Sequence, residues 1–301
     1  MLLTHKRPDG DAIGSVCALG LLLKALKKEV TYVVDPAVSK KMKIAPEAAY
    51  FVDETNRQFD LIIALDCADP NFLYKESLLK AADKIVVMDH HVTNKNYGTL
   101  NYVLPAVAAV GEVVMDLYDA AGIDIGYEAA AWLYLSLSTD TGNFRYSNVT
   151  AQTHIKAAKL FEIRNDFSEI NQKMDEYGMG KLKYLARVIE RIELSFQGKV
   201  ALSYLELADY ENHVMDEETD MQLQNMIDVL RNIEGVEVAI FIKQETSDTF
   251  KISMRSNGKV DVAKIAQLFG GGGHKKAAGG DGKGDITTII AALNQALRAK
   301  I

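Results

Sequence analysis

The chain has 301 residues, 48% of them hydrophobic and 25% charged, the make-up of a globular protein with material for two cores. A formal net charge of -7 at pH 7 excludes a broad basic footprint for duplex nucleic acid, though it leaves room for a local anion pocket. No apolar run is long enough to span a bilayer and no secretory-leader pattern opens the chain. The two cysteines, Cys17 and Cys67, lack CxxC partners and read as small buried hydrophobes, so a reducing cytoplasm is the expected setting.

Residues 2–4 are a short apolar strand running into His5, Lys6, Arg7, Pro8, Asp9, Gly10 and Asp11. Residues 12–28 then carry Ile13, Val16, Leu19, Leu22, Leu23 and Leu26 at spacings of three and four, which predicts a helix packed on a sheet. Residues 30–34 predict a second strand, stopped at Asp35 and Pro36. A βαβ unit follows: a strand over 61–65 ending at Asp66, a helix over 73–82, and a β-branched strand over 84–88 ending at Asp89, His90 and His91. Helices are predicted over 106–121, 127–138 and 150–162, the last capped by Thr150. Strands alternating with helices imply a mainly parallel sheet, and ligands in such sheets bind outside the carboxyl ends of the strands.

Gly178 and Gly180 interrupt a charged helical stretch. The expected domains are therefore 1–180 and 195–301, joined by a helical connector over 181–194. The second domain is expected to be a smaller α/β unit with strands over 199–205, 236–243 and 250–255 and a helix over 221–233. It ends in a helix over 260–269, a glycine loop over 270–284 and a helix over 286–299.

Three strand ends thus deliver acids and histidines to one sheet edge. Carboxylate oxygens suit hard divalent cations, and added imidazole shifts the preference from magnesium or calcium toward manganese, zinc or iron. His5, Asp9, Asp11, Asp66 and His90 supply both donor types. Asp9 and Asp11, flanking Gly10, can face different ions, and Asp66 on the neighbouring strand is the natural bridge. A pair of ions so held can clamp a phosphoryl oxygen for displacement. In the second domain, four successive glycines at 270–273 can turn backbone N–H groups toward an anion, with His274 and Lys275 adding positive charge. No GxGxxG follows the first strand, which disfavours a dinucleotide-binding site. Arg145, close after Asp140, is a further candidate phosphate contact.

The residues His5-x-x-Pro8-Asp9-Gly10-Asp11-Ala12-x-Gly14-Ser15, then Asp66, then Asp89-His90-His91, then Thr139-Asp140-Thr141-Gly142 resemble the four ordered motifs of the DHH phosphoesterase superfamily. Arg255-Ser256 and the run from Phe269 to Gly279 are similar to its DHHA1 substrate-binding domain. The resemblance implies two manganese ions (Mn2+), with Mg2+ or another divalent cation as substitutes. His5, Asp9 and Asp66 would hold one ion, and Asp11, Asp66, His90 and Asp140 the other. His91 would act beside the phosphate as donor or general acid, with Asp89 orienting the histidines. It also implies an active site in a cleft between the domains, with Arg255, Gly271, Gly272, Gly273 and His274 contacting substrate. The family carries a helix before its first motif, whereas Met1 here lies four residues before His5. Val107, Ala108, Ala109 and Val110 stand where relatives show Ser and Thr.

The expected activity is hydrolysis of very short single-stranded RNA to mononucleotides, and of 3′-phosphoadenosine 5′-phosphate to AMP, by a protein that is not membrane-bound and is a candidate homodimer. A cyclic or linear dinucleotide phosphodiesterase is the near alternative, and a non-catalytic nucleotide sensor the distant one. An inorganic pyrophosphatase is disfavoured by the 270–279 glycines.

Overall fold

The computed structural model describes residues 1–38, 40–42, 44, 51–211, 217–223, 225–298 and 300–301. It divides into two compact units, Met1–Glu176 and Tyr177–Ile301. No helix among the described residues is long and apolar enough to cross a membrane.

The first unit contains strands β1 (Leu2–Leu3), β2 (Tyr32–Val33), β3 (Phe51–Val52), β4 (Ile62–Leu65), β5 (Ile85–Asp89) and β6 (Leu100–Val103). They form one parallel sheet in the order β3-β2-β1-β4-β5-β6. Side chains alternate between its faces as a pleated strand requires. Leu2, Ile63, Leu65 and Met88 join one apolar cluster, while Leu3, Ile62, Ala64 and Val87 join another. Burial on both faces explains why these strands read as continuous apolar runs.

Helices α1 (Gly10–Ala25), α2 (Val110–Ala121) and α3 (Tyr127–Asp140) contribute to the first of these clusters. Helix α3 is apolar nearly all round because it is buried nearly all round, with Trp132 fully enclosed. Glycines let α1 approach it: a Cβ at Gly10 would lie 2.4 Å from Thr139 Oγ1, and one at Gly14 would lie 2.4 Å from the Trp132 carbonyl oxygen. Helix α4 (Ala151–Ile163) is capped by Thr150, which accepts from the Thr153 N–H, and α5 (Ser168–Asp175) follows.

Two expectations are corrected here. The stretch 73–82 is not an α-helix but short 3-10 turns, Pro70–Phe72 and Glu76–Ala81. Its backbone is committed elsewhere: Tyr74 N–H donates to the Thr4 carbonyl (3.0 Å), and Lys6 N–H donates to the Phe72 carbonyl (2.8 Å). Asp140, expected after a helix, is the last residue of α3.

The second unit contains α6 (Met179–Glu190), β7 (Glu193–Ser195), β8 (Val200–Leu205), α7 (Glu217–Leu223), α8 (Met226–Arg231), β9 (Val238–Gln244), β10 (Thr249–Ser256), α9 (Val262–Ala266), β11 (Gly272–His274), β12 (Ala277–Lys283) and α10 (Ile286–Arg298). Its sheet runs β11-β12-β10-β9-β8-β7, parallel between β8 and β9 and antiparallel at the other pairs. Helices α9 and α10 cover one face, and α6, α7 and α8 the other. Within the stretch read as a connector, Tyr184 and Val188 of α6 are buried beside Leu205, Leu230 and Phe241, which makes this helix part of the second unit. The helix expected over 221–233 is interrupted, with Asn225 in left-handed backbone (φ 66°).

The glycine loop expected over 270–284 is corrected to the hairpin β11–β12. A Cβ at Gly271 would lie 1.9 Å from the Gly279 carbonyl oxygen, so glycine is needed for the two backbones to come this close.

Candidate metal centre

Strand order reverses at β1, with β2 on one side and β4 on the other, and in sheets of this topology a crevice opens outside the carboxyl ends of the strands that flank the reversal. His5 follows β1 after the buried Thr4, and Asp66 follows β4 directly. Asp66 is buried and held in left-handed backbone (φ 53°), a strained conformation for a residue with a Cβ. Its two oxygens face different partners: Oδ2 lies 3.8 Å from His5 Nε2, and Oδ1 lies 3.7 Å from His90 Nε2. Asp9 Oδ1 stands 3.9 Å from His5 Nε2, while Asp11 Oδ2 and Asp140 Oδ2 stand 3.9 and 3.6 Å from His90 Nε2. The structure therefore brings His5, Asp9, Asp11, Asp66, His90 and Asp140 together, from two strand ends, the start of α1, the end of β5 and the end of α3.

Asp11 and His90 are oriented by hydrogen bonds from their surroundings. Asp11, buried at the amino end of α2, accepts hydrogen bonds from Val110 N (2.8 Å), Gly111 N (3.2 Å), Ser15 Oγ (2.9 Å) and Ser136 Oγ (2.6 Å). A helix amino end favours an anion there. His90 Nδ1 faces the Val107 carbonyl at 3.3 Å. With the proton on that nitrogen, the Nε2 lone pair points at Asp11, Asp66 and Asp140. The side chains of Val107 and Val110 play no part in these contacts, which run through their backbone groups.

Asp89 is fully buried and accepts from His90 N (2.8 Å), His91 Nδ1 (2.7 Å) and Asn94 Nδ2 (2.6 Å). His91 is half-exposed, so Nε2 is the ring nitrogen left to face outward. Its pKa is raised, chiefly by the Asp89 hydrogen bond. Asn94 escaped the sequence reading, although its place three residues after His91, in the same turn, is a usable signal. Ser136 was missed as well, because it looks like an ordinary helix residue, while Ser15 stands in the first motif without a role assigned to it. Asn94→Ala leaves Asp89 Oδ2 without this donor and is expected to cost about 10- to 100-fold in activity or metal affinity, the range for partners that orient ligands. Steady-state assays paired with metal titration measure it, and an unchanged variant would remove Asn94 from the design.

Among themselves the carboxylates repel. Burial, then the charges of Asp11, Asp9 and Asp140, push Asp66 well above the usual carboxylate range. Asp140 is raised to about 7, first by burial and then by Asp11. Asp11 is raised by burial despite its four donors. Asp66 Oδ1 is buried with no hydrogen-bond partner. Acceptors crowded on acceptors, one of them orphaned, are stabilised by cations, and the mixed oxygen and imidazole set suits divalent metal ions. Cys67 stands outside this chemistry, since burial pushes its thiol up to about 12.

A depression of about 480 Å³ is lined by His5, Asp9, Asp66, His91 and Asp140, with Lys6, Arg7, Phe72 and Thr93 around them. Arg145 is exposed, its Nε donating to the Gly142 carbonyl (2.8 Å), and does not line this depression. In the second unit, Arg255 sits on β10 beside a cavity of about 180 Å³ together with Lys243, Asp220 and Ser253. Gly272, Gly273 and His274 lie exposed on β11. The expected anion nest is corrected at its start: the Gly270 and Gly271 N–H groups already donate to the Gln267 and Ala266 carbonyls.

The model of the DHH family N-terminal domain matches residues 1–137, and that of the DHHA1 domain matches residues 197–299. A bifunctional oligoribonuclease and PAP phosphatase, NrnA, from Thermus thermophilus is 30% identical, covering 100% of this chain and 89% of that protein. The protein of the same name from Bacillus subtilis is 26% identical over 93% of this chain and 88% of its own length. Among solved structures, an exopolyphosphatase-related protein from Bacteroides fragilis shares the fold with a TM-score of 0.88, at 24% identity, covering 99% of this chain and 91% of that one.

Proposed function

From the premise that the chain belongs to the DHH family of phosphoesterases, we propose that this hydrolase removes mononucleotides from very short RNA and converts 3′-phosphoadenosine 5′-phosphate to AMP. The observation that carries the reading is Asp66, whose two oxygens face two separate donor sets, His5 with Asp9 on one side and His90 with His91 on the other, the His90 ring in turn facing Asp11 and Asp140. His5, Asp9 and Asp66 would hold one ion, and Asp11, Asp66, His90 and Asp140 the other. Bound divalent ions supply Lewis acidity, a lowered pKa for the attacking water and neutralisation of phosphoryl charge.

The chain's own residues do the rest. Asp89 fixes the His91 ring through Nδ1, so that Nε2 donates a proton to the leaving oxygen. The Val107 carbonyl holds the His90 tautomer that leaves Nε2 for a cation. Arg145, Arg255, Gly272, Gly273 and His274 are proposed contacts for substrate phosphate, with arginine suited by its planar fork. The reading includes manganese as the preferred ion with Mg2+ in reserve, a cytoplasmic homodimer, and single-stranded or mononucleotide substrates without duplex binding.

The test is hydrolysis of a 5′-labelled RNA ladder from two to about twenty-four nucleotides with manganese, beside phosphoadenosine phosphate and cyclic dinucleotides. Rapid cleavage of the shortest RNAs and of phosphoadenosine phosphate is expected. Preferential turnover of a cyclic or linear dinucleotide would replace this reading with a signalling-nucleotide phosphodiesterase.

A further inference from the structure

Phe72 is 64% exposed, yet it stands in the wall of the depression that holds His5, Asp66 and Asp140. A lone exposed aromatic on an ordinary surface needs no explanation. This one differs in its support. Asp69 caps the turn by accepting from Asn71 N (3.0 Å), Phe72 N donates to the Asp69 carbonyl (2.9 Å), and the Phe72 carbonyl accepts from Lys6 N (2.8 Å). The next residue, Leu73, is fully buried. The backbone is thus fixed from both sides while the ring is left in solvent.

Resting on the phosphoesterase reading above, we propose that Phe72 is the stacking platform for the nucleobase of the nucleotide whose phosphate is held at the metal centre. A flat aromatic face accepts any base, because every base offers a π-face, and it reads no hydrogen-bond pattern. That property suits an enzyme that takes short RNA apart regardless of sequence. Lys6 supports the same rim, its ammonium donating to the Asn71 carbonyl (3.2 Å), which places positive charge beside the ring for a phosphodiester. At about 480 Å³ the depression falls in the lower part of the range for small-ligand sites, matching one nucleotide and not a long strand.

Two readouts on wild type, Phe72→Ala and Phe72→Trp test it: kinetics on a diadenylate and on an abasic dinucleotide with the same phosphodiester, and binding of AMP against ribose 5-phosphate with manganese present. Phe72→Ala is expected to raise KM for the diadenylate by roughly 5- to 150-fold, the range of base–aromatic stacking losses, with kcat little changed. The abasic KM stays put, the preference for AMP over ribose 5-phosphate disappears, and Phe72→Trp restores both. Equal losses on both substrates, no loss on either, or a wild type that binds AMP no better than ribose 5-phosphate would overturn the platform. Absence of turnover in the wild type, with a base preference that Phe72→Ala abolishes, would leave the platform standing and remove the phosphoesterase reading.

Discussion

Asp66→Asn lowers kcat by about 10³-fold or more, a loss at the upper end of those seen when one group that stabilises developing charge is removed. The reason is position. Asp66 is the carboxylate with one oxygen toward His5 and the other toward His90, so an amide in its place weakens both donor sets at once. The same substitution has the opposite sign in the metal-free protein. Asp66 is buried among Asp9, Asp11, Asp89 and Asp140, and a neutral side chain of the same shape relieves that repulsion. Melting temperature of the chelated variant is therefore expected to exceed that of chelated wild type while activity vanishes, a trade of stability for function. Steady-state kinetics, metal titration and thermal melts measure the three arms. A variant that keeps kcat and loses only KM would show that Asp66 is not shared.

Stripped of metal, the wild-type protein melts higher near pH 5 than near pH 8. Folded-state pKa values of Asp11, Asp66 and Asp140 are raised above the usual 3.8, Asp140 to about 7. The native state consequently binds more protons than the unfolded chain, and stability falls as pH climbs from about 4 through 7. His5 and His91, whose pKa values are also raised, act in the same direction: their contribution is present in full below 6.5 and is lost as pH rises past their folded values. Asp9 and Asp89 run the other way, with pKa values held below 3.8, but their contribution is lost only at lower pH. Saturating manganese reverses the trend, because protons compete with the ion for the same oxygens, so the metal-induced rise in melting temperature grows between about pH 5 and 8. A chelated protein whose melting temperature stays flat or rises over that interval would remove the repulsion from the account.

Where strands are buried on both faces, the sequence shows them plainly, and the polar residues that end them stand out. His5, Asp66 and the Asp89 to His91 run are read this way because apolar strand passes directly into titratable side chains. Asp140 is different. Helix α3 ends in Ser138, Thr139 and Asp140, which look like a helix already over, yet Ser138 and Thr139 return their hydroxyls to the Leu135 carbonyl and continue the turn. The 3-10 turns after Pro70 are hidden for a tertiary reason: residues with good helical spacing give their backbone N–H and carbonyl groups to the segment around His5. Strand β12 is hidden by composition, since Gly279, Gly280 and Gly282 have weak strand propensity and are there for close packing against Ile252, Phe269 and Ile289. Strand β3 at one sheet margin is too short to carry a two-residue period, and β6 at the other alternates with its apolar Leu100 and Tyr102 turned to the exposed side, so it does not read as a buried strand.

The donors come from separate stretches of chain, the first at His5 and the last at Asp140. A growing polypeptide emerges at about 5–20 residues per second, so no complete cage exists until the carboxyl end of α3 has left the ribosome and docked against α1. Metal cannot template this unit the way it templates a small finger built on adjacent cysteines. Bound at these donors after folding, an ion would hold the finished form by mass action. The supply of free divalent cation would then set how long a new molecule survives proteolysis, as well as how fast it turns over substrate.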